Sequence, residues 1–132
     1  MPISLEEAAS FHGHLGPFLY LGYKAGELVR KIFDLNESEK NVKAIIKLPL
    51  RRPITCIIDG FQCSSGLTLG KLNLIIEHSD EYKIIIERKS KRLIIQFDKD
   101  ILDHLEKFEN MEEAIKWLES LGISRVLKVN MQ

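Results

Sequence analysis

Cysteine is scarce in this 132-residue chain: there are two, Cys56 and Cys63, and they do not form a CxxC pair. That excludes a disulfide-stapled secreted scaffold. On a shared helix, seven residues would separate them by roughly 10 Å along the axis. A disulfide needs Cα atoms within about 7 Å, so two free thiols are expected. An excess of one charge sign is also missing: 19 Lys and Arg balance 19 Asp and Glu, with a pI near 6.9. The overall charge therefore gives no reason to expect a nucleic acid or an anionic membrane as partner. No apolar run approaches the ~20 residues of a membrane span. The opening MPISLEEAAS is acidic and lacks a basic stretch followed by an apolar one, so no secretory leader is expected and cytoplasm is the default. Repeats, linkers and low-complexity segments are absent too, which predicts one domain over residues 1–132.

What is present is enough to build a core. Hydrophobic residues make up 45% of the chain, an ordinary globular share. Ser4, followed by Glu6 and Glu7, predicts a short first helix to about Ser10. From Leu15 the apolar spacing is helical, with Phe18, Leu19, Gly22, Ala25, Val29, Ile32 and Phe33 on one broad face and Pro17 suited to the first turn. Gly22 and Gly26, four apart, leave a groove for close approach of another helix, within the chain rather than across a dimer seam.

Val42, Ala44, Ile46 and Leu48 alternate and predict a strand ending before Pro49. A second helix is expected from about Ile54 to Ser65. Residues 73–77, 82–89 and 92–97, rich in isoleucine and split by polar turns, predict an antiparallel meander. Asp98 or Asp100 can cap a helix to about Phe108, and Asn110 can cap another over 111–120 that stops at Gly122. Residues 126–129 read as a final strand. The pattern favours an α+β fold over a doubly wound one, with a mixed or antiparallel sheet packed against helices.

Two segments carry chemistry. In the first, His12-Gly13-His14, an extended backbone would point residues i and i+2 the same way, so both imidazoles would converge. Imidazole ligates zinc and serves as an acid or base near neutral pH. The competing reading is a pair of loop histidines bonded to backbone carbonyls at a helix start. The following helix N-terminus, with Arg51 and Arg52 nearby, offers an anion site that needs no metal; solvated turn arginines are the plainer alternative.

In the second segment, residues 55–66, helical spacing puts Cys56, Asp59 and Cys63 near one face and Thr55, Asp59, Gln62 and Gly66 on an adjoining stripe. Cys56, in a first turn, would gain thiolate character from the helix dipole, and is the better ligand or nucleophile. Cys63 is expected to act as a small apolar residue. Asp59 in so apolar a helix wants a partner, a histidine or arginine to orient.

Together these segments resemble the FmdE family, named for the FmdE component of formylmethanofuran dehydrogenase. The resemblance rests on Phe11-His12-Gly13-His14-Leu15-Gly16-Pro17, then Leu21-Gly22-Tyr23, and on Cys56, Asp59, Gln62 and residues 65–73 with Thr68, Gly70, Lys71 and Asn73. It implies an α+β core, a homodimer, a metal-associated pocket and association with an oxidoreductase subunit. It further implies a core-only member without the cysteine-rich zinc extension that some relatives carry. Carried over by position, the site is His12, His14 and Cys56 around a divalent ion such as zinc. Asp59, Gln62, Thr68 and Lys71 would stand behind it or meet a ligand, and Lys71 would bind an anion or close the pocket by a salt bridge. Gly16 and Leu67 occupy positions where the family pattern has cysteine. The expected set is therefore two imidazoles and one thiol rather than a redox thiol pair. A noncatalytic assembly subunit and a metal-free binder of a small anion are the alternatives.

Overall fold

The computed structural model describes residues 3–35 and 41–132. Helix α1 (Leu5–His12) starts at Ser4, whose hydroxyl accepts from the Glu7 N–H while the Glu7 carboxylate accepts from the Ser4 N–H. This reciprocal cap holds the Glu7 carboxyl below its usual range. Helix α2 (Pro17–Phe33) follows, with Pro17 at its first turn as expected. Strand β1 (Val42–Leu48) buries every second side chain, matching its sequence alternation.

Helix α3 (Cys56–Ser65) leads to β2 (Leu74–His78), β3 (Lys83–Arg88), β4 (Lys91–Phe97), α4 (Lys99–Leu105) and α5 (Met111–Leu121). Asp98 caps α4 and Asn110 caps α5 through their side chains. A four-residue turn of helix, α6 (Ile123–Val126), which the sequence pattern did not announce, precedes β5 (Leu127–Met131).

The five strands form one mixed sheet in the order β2-β1-β3-β4-β5. Here the expected meander needs correction. β2 does not pair with β3; it lies parallel to β1, Ala44 opposite Leu74. β1 and β2 are joined through α3, and such a crossover returns the chain to the same end of the sheet, so the strands run parallel. β3 takes the other flank of β1, antiparallel, and forms a hairpin with β4.

One core unites Val42, Ala44, Ile46 and Leu48 with Ile84, Ile86, Leu93 and Ile95 on the sheet and with Leu21, Val29, Ile57 and Phe61 on α2 and α3. The α2–α3 contact is unusually close. A Cβ on Gly22 would collide with the Ile57 carbonyl, and one on Gly60 with the Leu19 carbonyl. Gly26 likewise faces Ser64 and the Phe61 carbonyl. The glycine groove is thus filled from within the chain. It fixes the first turn of α3 beside the α1–α2 junction, where the site lies.

Candidate metal centre

His12 is the last residue of α1, so the expected extended backbone at His12-Gly13-His14 is not what brings the two rings together. Gly13, at φ 113°, takes the left-handed conformation that ends the helix, its N–H bonded to the Ala9 carbonyl. The chain reverses there, and the His12 and His14 rings lie tilted with centroids 4.8 Å apart.

His12 reaches across to α3, where its Nδ1 meets Asp59 Oδ2 at 2.6 Å. A carboxylate can only accept, so Nδ1 carries a proton, and in the neutral ring that leaves the lone pair on Nε2. That Nε2 is buried and has no hydrogen-bond partner among the described residues. The chain has desolvated this atom and oriented it from behind, an arrangement typical of a histidine bound to a metal.

Cys56 opens α3. One donor atom from each of His12, His14 and Cys56 lies within 4.8 Å of the others. A tetrahedral zinc holds its N and S ligands roughly 3.3–3.8 Å apart, so small side-chain rotations close the set. Two borderline nitrogens, a sulfur and an orphaned buried lone pair fit a transition ion.

The expectation of a dipole-activated Cys56 thiolate is corrected. Burial, and next the Asp59 charge, push its thiol above the ordinary value, with a smaller opposing effect from Arg52. Burial and Asp59 also raise Cys63, which is half-buried and a free thiol like Cys56.

A cavity of about 120 Å³ adjoins the cluster, walled by His14, Gly16, Pro17, Cys56, Phe108 and Met111. It is smaller than the roughly 300–1,000 Å³ of pockets for larger organic ligands. Arg51 does not face the α2 N-terminus as a free cation; it forms a forked pair with Glu106, which also lines this cavity.

The remaining candidates are placed differently. The Gln62 Oε1 accepts from the Leu69 N–H at 3.0 Å, and the Thr68 hydroxyl accepts from the Lys71 N–H at 3.3 Å. With Asn73, which accepts from the Thr68 N–H, they shape the loop after α3. Lys71 is exposed on that loop and makes no ion pair with a described residue. Leu67 is buried. Phe108 and Met111 were not foreseen as cavity walls. Met111 is simply the first residue of a capped helix, and no local pattern brings it to the distant His12-Gly13-His14 segment.

An α+β domain with a His₂Cys cluster at the meeting point of three helices is thus defined. Residues 11–126 match the profile of the FmdE family, described as molybdenum formylmethanofuran dehydrogenase operon. The chain belongs to that family. Among solved structures it is similar to a tungsten formylmethanofuran dehydrogenase FmdE-like protein from Syntrophus aciditrophicus, at 17% identity and a TM-score of 0.65, over 97% of this chain and 69% of that one. No curated protein matches. Among the described residues, no helix is long and apolar enough to cross a membrane.

Proposed function

We propose that this domain binds a transition metal of the zinc class through His12 Nε2, His14 and Cys56. The observation that carries this reading is the buried His12 Nε2, unpartnered among the described residues, turned away from Asp59 and grouped with a second imidazole and a thiol. Leaving a polar atom desolvated and unpaired costs about 1–3 kcal/mol, and an ion removes that cost.

Asp59 orients the His12 ring. The adjoining cavity admits a small ligand beside apolar walls at Pro17 and Phe108. A bound ion with an open position would polarise a carbonyl or activate water there. In this reading the domain works, as a homodimer or a subunit, alongside a molybdenum or tungsten oxidoreductase; the family's description by a molybdenum formylmethanofuran dehydrogenase operon supports the association with such an enzyme.

Elemental analysis of the purified full chain, before and after reloading with zinc, tests the reading. The expected result is about one equivalent per chain, lost in His12→Ala and in Cys56→Ala and retained in Cys63→Ala. Less than about a tenth of an equivalent after reloading would overturn it.

A further inference from the structure

Resting on that metal-site reading, we infer that the Met111 thioether is a fourth protein donor, and that it makes copper(I) a preferred ion of the centre. The geometry begins at Gly16. A Cβ built there would lie 3.5 Å from His14 Nε2 and 3.5 Å from Met111 Sδ. The imidazole nitrogen and the thioether sulfur therefore both border the space over Gly16, which no side chain fills.

Met111, His14 and Cys56 wall the same cavity. Met111 sits at the start of α5, fixed by the Asn110 cap, and stays 49% exposed rather than packing into the core. Rotation about its first two side-chain bonds lets its sulfur swing over the gap at Gly16.

The donor chemistry then decides the ion. A thioether is neutral and soft; it adds little to a zinc site, whereas sulfur from Cys and Met selects copper(I). It also carries no proton, so its contribution does not vary with pH. The alternative role, an apolar lid on the cavity, would be served equally well by leucine.

That difference supplies the test on the full chain. Cu(I) and Zn(II) affinities are measured anaerobically against chromophoric chelators for the wild type, Met111→Leu and Cys56→Ala, with X-ray absorption of the Cu(I) forms. Met111→Leu is expected to keep zinc affinity within about twofold and lose about tenfold or more for Cu(I). The sulfur count at copper should fall from two to one. Unchanged Cu(I) affinity and sulfur count in Met111→Leu, with zinc still bound, would overturn the role of Met111 alone. A wild type that takes up neither ion would overturn the metal centre and the Met111 assignment with it.

Discussion

Replacing Asp59 with alanine probes the contact on which the centre's preorganisation depends. The substitution deletes the 2.6 Å bond that holds the proton on His12 Nδ1. Without it the imidazole can place its proton on Nε2, the atom required to bind the ion, and the ring is free to turn. The Asp59 charge, which attracts a cation, is lost as well.

One effect opposes these. Asp59 helps to hold the Cys56 thiol above its usual range, so removing it eases thiol ionisation. Burial is the larger cause of that rise and survives the substitution, so the relief is partial and the net effect is weaker binding. Loss of such a supporting partner costs about 10–100-fold in metal affinity, or roughly 1.4–2.7 kcal/mol. Asp59→Asn, which keeps an acceptor oxygen without the charge, should fall between wild type and Asp59→Ala. Chelator competition gives the affinities, and ¹⁵N NMR of the ring reports the His12 tautomer. Both variants binding zinc within about twofold of wild type would refute the reasoning.

Three further outcomes are expected. Because the Cys56 thiol is raised, it is protonated at neutral pH and must lose its proton on binding; log affinity should climb about one unit per pH unit and flatten above the raised pKa. A flat profile in pH-stepped titrations would count against Cys56 as a ligand. Gly22→Ala forces a Cβ onto the Ile57 carbonyl and should cost about 3 kcal/mol, lowering Tm by roughly 10 °C. Gly70→Ala, with open space around it, should leave Tm nearly unchanged in the same calorimetry. Gly16→Cys places a second thiol where a Cβ makes ordinary contacts on extended backbone at φ −121°, so it should fold normally and raise zinc affinity about tenfold or more in chelator competition.

The parts of this fold that were legible in the sequence are those decided by local periodicity or by a cap. β1 alternates because one face is buried, and its bounds follow. Asp98 and Asn110 mark the starts of α4 and α5 through side-chain bonds a few residues on. Gly22 and Gly26 announced a close helix approach because only a missing side chain allows one. Strand partnership was not legible: β2 and β3 look alike locally, and their separation by β1 follows from a crossover that no strand encodes. The rings of His12 and His14 were expected to converge and do, but through a helix end at Gly13 rather than a pleat. Cys56 kept its place in the cluster and lost its expected acidity. A first-turn position can be read from spacing, whereas burial and a neighbouring carboxylate arise only on folding.

Charge balance at the site yields a last prediction that separates the two candidate ions. Cys56 and Pro17 stand at the starts of α3 and α2, whose N-terminal dipoles disfavour a cation, while α1 presents its C-terminus at His12 and α4 ends at the adjoining cavity with Leu105. A thiolate and the Asp59 carboxylate supply two negative charges against this background, and an imidazole that ligates an ion adds none. With a divalent ion the group sums to zero; with copper(I) it is one unit negative, which two helix N-termini favour. Removing Asp59 leaves zinc with an uncompensated positive charge between those termini, but leaves copper(I) neutral. Asp59→Ala should therefore weaken zinc binding more than copper(I) binding, by about tenfold in the ratio of the two affinities. Equal losses for both ions would mean that Asp59 acts only by orienting His12, and that its charge is screened by water at its partly exposed edge.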